Sequence, residues 1–334
     1  MTLYLSIVEH NLLSAPVLFF CLGFGASVLG ASIALPGGVS KMIAIYLMLA
    51  IGFKGGAAFV TDAISTEVLL CLFAGVVLSG AMPFAAFRLL GFLSPLGTAD
   101  RAAIAAHYGS ISIVTFTAAT DALTRLGLDF SASMAAVAAA MEAPAIVSAV
   151  YLLQRTGSGC QSHGKQTQGK QASRSVMQEV FFNVTIVVLL GAFAIGAVTG
   201  KDGLSDVSGF LVDPFRGVLC LFLLDLGAVA GQGLRNGWRS LNPPLILFAA
   251  GMPVLGAVAA FLSATAFGLS QGNAALLMTL AASASYIAAP AAMRMAAPEA
   301  RPEIYLTMAL GVTFPLNLLI GLPLYISAAG LLAL

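Results

Sequence analysis

The sequence predicts an all-α, polytopic membrane protein: ten transmembrane helices in two inverted sets of five, with the fourth and ninth helices broken. Three observations predict it. Hydrophobic residues make up 59% of the chain and charged residues only 9%, where an ordinary soluble domain is about 25% charged. The apolar residues gather into about ten segments, each able to supply the roughly 20 residues that a helix needs to cross the hydrocarbon core. Short motifs of the first half return in the second at a nearly constant offset.

In order, the segments fall near 13–35, 42–60, 68–90, 102–124 and 131–153, and then near 179–200, 214–233, 243–267, 274–296 and 304–332. The first is expected to be retained rather than cleaved, because Met1 to Asn11 carries Glu9 and no Lys or Arg, unlike the basic start of a signal peptide. Between the two sets runs Gln154 to Gln178, rich in Gly, Ser, Gln, Lys and Arg and without a carboxylate. Such a composition cannot bury apolar surface and reads as a linker. The predicted organisation is therefore a first repeat over 1–153, a basic linker over 154–178 and a second repeat over 179–334.

Lys and Arg favour the cytoplasmic side in short loops. If the ten segments alternate, eleven of the fifteen Lys and Arg share one side with the linker, and only Lys54, Arg125, Lys201 and Arg216 fall toward the other. That count predicts a cytoplasmic linker and both termini outside the cytoplasm. The net charge of +1 gives no sign of a nucleic-acid partner. The four cysteines, Cys21, Cys71, Cys160 and Cys220, show no paired spacing that would mark a disulfide framework or a structural metal site, and no cofactor is indicated.

The repeat is carried by three matches. Gly52 and Gly56 correspond to Gly227 and Gly231 at an offset of 175, "GSIS" from Gly109 corresponds to "ASAS" from Ala282 at 173, and Pro144 corresponds to Pro315 at 171. Five crossings per half insert the second half upside down relative to the first. Inverted repeats with interrupted helices are an architecture of secondary transporters, and the interruptions mark the binding site.

A non-helical turn at membrane depth is tolerated only where it lines a cavity or is buried in protein. Two such turns are predicted: Gly109, Ser110, Ile111 and Ser112, and Ser283, Ala284, Ser285 and Tyr286. Each would present backbone N–H groups at a half-helix start, an end that favours an anion. Candidate anion ligands are thus Gly109, Ser110, Ser112, Ser283, Ala284, Ser285 and Tyr286, and candidate cation ligands are Ser112, Thr115, Ser285 and Glu142. Neither turn has a fixed positive side chain, which suits a small anion. The plainer readings are that Ser and Gly serve helix packing, that His107 bonds a neighbouring carbonyl, and that Thr117 bonds back to its own helix.

Lys54, Glu142 and Asp225 lie inside apolar segments. A charge at the bilayer centre costs on the order of 2.5–3.5 kcal/mol on insertion scales, so each needs a reason. Lys54 and Asp225 sit on repeat-related helices and are expected to pair; Glu142, just before Pro144, is expected to meet a cation.

The blocks "AHYGSISIVTF" (106–116), "MEAPAIVSAVYLL" (141–153), "DPFRGVLCLFLLDLG" (213–227) and "AASASYIAAPAAMR" (281–294) resemble, in that order, the SbtA family of sodium-dependent bicarbonate transporters. The resemblance implies a core domain moving against a gate domain, a homotrimer, symport of bicarbonate with sodium at a bacterial inner membrane, and control by a PII-like cytoplasmic protein. It places Gly109, Ser112 and Thr115 in the family's first turn and Ser283, Ser285, Pro290 and Arg294 in its second. The chain departs from the family where Tyr286 stands in place of an aspartate and Glu142 in place of another. The intramembrane lysine has moved from the position of Ala50 to Lys54, and its acidic partner from that of Val229 to Asp225.

The expected activity is secondary active transport, with sodium-coupled bicarbonate uptake first and sodium- or proton-coupled transport of another small anion, such as a short carboxylate, second. A membrane receptor or scaffold acting through the central loop is the alternative from another class. An enzyme is not expected: no catalytic carboxylate pair, metal-ligand cluster or Ser-His-Asp grouping occurs at helical spacing.

Overall fold

The structure is a computed structural model that describes residues 13–31, 33–59, 65–156, 184–237 and 241–333. Every regular element among the described residues is helical. The order is α1 (Ala15–Val28), α2 (Gly37–Phe59), α3 (Thr66–Leu93), α4 (Thr98–Gly109), α5 (Ile113–Arg125), α6 (Met134–Thr156), α7 (Val184–Asp206), α8 (Ser208–Leu211), α9 (Phe215–Gly237), α10 (Pro243–Phe267), α11 (Gln271–Ala282) and α12 (Ala288–Ala296). A last helical stretch, α13 (Pro302–Leu332), closes the chain.

Among the described residues, eight spans are long and apolar enough to cross a membrane, with α4 and α5 forming one and α8 and α9 another. The two remaining predicted segments differ. The first helix has only 14 residues, about 21 Å of rise against a core of about 30 Å. The ninth segment is split into α11, of 12 residues, and α12, of 9. The expected linker begins later than 154, because α6 runs on to Thr156; its body, 157–178, lies outside the described residues.

Local signals set the helix ends. Ser65 caps α3 by accepting from the Val68 N–H at 3.3 Å, and Asn242 caps α10 by accepting from the Leu245 N–H at 3.1 Å, each satisfying an orphan donor of the first turn. The α10 helix ends on Gly268 in the left-handed region, φ +63°, where a glycine carries no Cβ penalty. Two π-helical turns interrupt α13, at Thr307–Thr313 and Asn317–Gly321. Each ends two residues before a proline, Pro315 and Pro323. A proline has no N–H and its ring crowds the carbonyl four residues back, and a wider turn relieves both.

Small residues set the packing, as expected for helices that touch within a bilayer. Gly56 of α2 lies against the Phe193 carbonyl of α7, and Gly196 of α7 lies against the Phe53 carbonyl of α2. The α1–α9 contact is built alike: Gly227 lies against the Phe20 carbonyl, and Gly23 against the Leu224 carbonyl. In all four places a Cβ would fall inside van der Waals contact with backbone. Elsewhere Ser79 and Ser148 tie α3 and α6, donating to the Met141 carbonyl and, at 2.8 Å from Ser148, to the Gly80 carbonyl.

The α4, α5 and α11 helices are buried almost throughout. They occupy the centre, with α3, α6, α10 and α13 around them. The junctions of α4 with α5 and of α11 with α12 are thereby removed from any lipid-facing surface.

Candidate functional site

The two predicted interruptions are present, and they meet. The first spans Ser110 to Ser112 and the second Ser283 to Ile287. Ser110 ends α4 at φ −83°, ψ 159°, and Ser283 ends α11 at φ −82°, ψ 162°, so the repeat-related serines leave their helices with the same backbone geometry. The Ser112 N–H donates to Ser283 Oγ at 2.8 Å, and the Ser285 N–H donates to the His107 carbonyl at 2.8 Å. Each break thus supplies partners that the other helix's broken ladder lacks, which is what makes non-helical backbone tolerable at this depth.

Beyond the breaks, serines meet the new helices. Ser112 Oγ accepts from the Thr115 N–H at 3.2 Å and from Thr115 Oγ1 at 2.9 Å, and so caps α5. Ser285, two residues before the N-cap Ile287, accepts at Oγ from the Ala289 N–H in the first turn of α12 at 3.3 Å. Both helices point their positive ends toward the crossing. Ser283 Oγ also donates to the Leu280 carbonyl at 2.8 Å. Ser110 is 1% exposed and its hydroxyl has no hydrogen-bond partner.

A small pocket lies at the crossing, bounded by Ile111, Ser112, Ile113, Glu142, Ser285, Tyr286 and Ile287. Its free space is about 10 Å3, close to the least that holds one water. Glu142 comes from α6, is 2% exposed, and leaves Oε2 without a partner. The Tyr286 hydroxyl is buried without a hydrogen bond and faces Ser112. Ser112, Ser285, Tyr286 and Glu142 are thus brought together as the sequence suggested. Thr115 touches the group through Ser112.

Other expected ligands fall elsewhere. Gly109 closes α4 against Pro83 of α3 and Ala145 of α6, where a Cβ would collide with both side chains; its role here is close approach. Ala284 is buried between the two serines and has only backbone to offer. His107 takes the plainer reading, with Nδ1 2.6 Å from the Ala103 carbonyl and its ring against Tyr305 at 4.4 Å. Thr117 likewise donates to the Ile113 carbonyl of its own helix at 2.8 Å.

The expected Lys54–Asp225 pair is not formed. Lys54 lines a cavity of about 370 Å3 with Thr120, Asp121 and Phe215; its Nζ sits 5.2 Å from the Phe215 ring centroid and feels the charge of Asp121. Asp225 lines a separate cavity of about 750 Å3 with Ser40, Lys41, Tyr286 and Arg294. Its carboxylate accepts from the Leu35 N–H and from Ser40 Oγ, both at 2.6 Å. The carboxylate is satisfied locally, and the acid nearest in influence to the lysine is Asp121 of α5, across the cavity they both line.

Asp121, which also bridges Arg125 Nε at 3.0 Å and Arg216 Nε at 3.4 Å, was not among the sequence candidates. A signal existed: Asp121 stands nine residues after Ser112, and Arg294 nine after Ser285. Melting temperatures of purified single and double variants test this rearrangement. Losses from Lys54→Ala and Asp225→Asn should add to within about 0.5 kcal/mol, whereas Lys54→Ala and Asp121→Asn should be coupled by about 0.5–1 kcal/mol.

No group of three or more His, Cys, Asp and Glu side chains able to hold a metal occurs among the described residues. A family model, described as the Na+-dependent bicarbonate transporter superfamily, matches the chain over residues 15–330. No curated protein matches it.

Proposed function

Since this chain belongs to the Na+-dependent bicarbonate transporter superfamily, we propose that it carries bicarbonate inward with sodium by alternating access. The family is one of multi-pass membrane transporters and not of enzymes. The observation that carries the proposal is the crossing itself, where the Ser112 N–H meets Ser283 Oγ and two half-helix starts converge on one small pocket that Ser112, Ser285, Glu142 and Tyr286 help to line. An anion placed there would be held by helix-start N–H groups and serine hydroxyls, without a fixed cationic side chain. The tightness of the pocket favours a small anion such as bicarbonate over a longer carboxylate.

Sodium is a co-substrate in this reading. Ser112, Thr115, Ser285 and Glu142 offer the neutral and anionic oxygens that a hard cation takes. Because each ion improves the other's binding by the same factor, loss of the sodium site would also raise the bicarbonate concentration needed. Ten crossings in two inverted sets of five, with the linker that follows Thr156 in the cytoplasm and both termini on the periplasmic face of a bacterial inner membrane, complete the proposed architecture. The paired glycine contacts of α1–α9 and α2–α7 support the repeat, and the helices bearing them would form the gate against which the core moves. A homotrimer and a PII-like regulator follow from the resemblance and are proposed on that ground alone.

The test is uptake of radiolabelled bicarbonate into proteoliposomes, with an inward sodium gradient and then with potassium in its place. Sodium-dependent accumulation is expected; equal uptake in both salts would refute the coupling. Glu142→Gln keeps the side-chain volume at a buried position where Oε2 has no hydrogen-bond partner, so the fold should survive. The same variant is expected to lose the sodium stimulation, read as the ratio of uptake in the two salts.

A further inference from the structure

We propose that Tyr286 is the inner door of the transport path and sets the size limit of the anion, an inference that rests on the transporter reading above. Tyr286 and Ile287 are the two residues shared by the pocket at the crossing and by the 750 Å3 cavity beside α2 and α9. The pocket has about 10 Å3 of free space, and an anion of four heavy atoms cannot enter a space fit for one water unless a wall moves.

The candidate walls are unequal. Ser112 and Ser285 are fixed by the bonds that knit the two breaks together, Ile113 is already inside α5, and Glu142 is inside α6. Tyr286 and Ile287 lie in the second break, whereas their counterparts 173 residues earlier, Ile113 and Val114, are helical. The second break is thus longer by the two residues that separate the pocket from the larger cavity. Tyr286 is half-buried, and its ring packs edge-on against Phe314 at 5.6 Å, which packs against Phe20 at 5.3 Å. Those contacts hold the ring in place without a hydrogen bond to its hydroxyl.

Rotation of the side chain away from Ser112 opens the pocket to a cavity whose wall carries Lys41 and Arg294. As the side chain swings back over a captured anion, its hydroxyl can donate to it. The ring then closes off the space that a carboxylate tail longer than one methyl would need. Bicarbonate, formate and acetate, none with more than four heavy atoms, suit such a closure; propionate and longer carboxylates do not.

Two measurements on full-length protein test the door. The first uses a background in which Cys21, Cys71, Cys160 and Cys220 are replaced and Ile113→Cys is introduced, placing a thiol in the pocket wall. The rate of modification by a small charged thiosulfonate reagent is expected to rise at least tenfold when Tyr286→Ala is added, or Tyr286→Leu should the alanine variant fail to fold. Equal rates would overturn the proposal.

The second is competition against bicarbonate uptake by formate, acetate and butyrate. Formate and acetate should compete in the unaltered protein, butyrate should join them in Tyr286→Ala, and Tyr286→Phe should keep the size limit while raising the KM for bicarbonate. An unchanged competition pattern in Tyr286→Ala would refute the size limit. Absence of bicarbonate uptake in the unaltered protein would count against the substrate, while the thiol modification rates would still decide whether Tyr286 closes the pocket.

Discussion

Adding one methyl group at Gly56 is expected to destabilise the protein by about 1–3 kcal/mol, while adding one at Gly191 is expected to leave it as stable or slightly more so. A Cβ at Gly56 would meet the Phe193 carbonyl and the Ala197 backbone nitrogen, neither of which can turn aside as a side chain can. The helices α2 and α7 would have to separate along their whole contact. At Gly191, on the same α7, nothing lies within 4 Å, so Ala there only gains the helix preference of about 0.5–1 kcal/mol over Gly. Opposite signs for one chemical change make the comparison sharp. Thermal unfolding of the two purified variants in detergent reads it, and a loss at Gly191 equal to that at Gly56 would mean that the close helix contact is not what holds the pair.

The second large effect is expected at Ser112. Alanine there removes the cap on α5, worth about 0.5–2 kcal/mol, and takes away the acceptor for both the Thr115 N–H and Thr115 Oγ1. The Ser112 N–H and its bond to Ser283 Oγ remain possible, so the fold should survive at reduced stability. Sodium-driven bicarbonate uptake should fall at least tenfold, because the hydroxyl faces the pocket and serves both ions in the proposed mechanism. Thr117→Ala, five residues on, should leave uptake within about twofold, since its hydroxyl is spent on the Ile113 carbonyl. Equal behaviour of the two variants would remove Ser112 from the site.

Much of this was legible in the sequence because it is written in composition and local chemistry. Apolar runs located the helices, and a cluster of Ser and Gly within an uncharged stretch located both breaks. Gly52 and Gly56, matched in the sequence with Gly227 and Gly231, lie at the α2–α7 contact, and their matches lie at the α1–α9 contact. What periodicity cannot carry is the choice of partner across distant helices. The Lys54–Asp225 pairing was argued from matched helices, yet a carboxylate is satisfied as well by a nearby N–H and a hydroxyl, and Leu35 and Ser40 supply them. Asp121 escaped notice because, between Thr120 and Arg125, it reads as an ordinary helix-end residue. The π turns of α13 were hidden for another reason: proline announces a disturbance without saying whether the helix will kink, widen or stop.

The hydrogen bond between Ser112 and Ser283 joins residues 171 apart in the chain. A ribosome extending the chain by about 5–20 residues per second needs roughly ten to thirty seconds to make the intervening segment. During that time the first break already sits among membrane helices, while the segment that completes its backbone hydrogen bonding has yet to be made. The first half must therefore wait, part-assembled, for the second, and the core closes only when α11 arrives. Biosynthesis of this protein thus has a built-in order in which membrane insertion of the first half precedes, by many seconds, the assembly of the crossing between the two breaks.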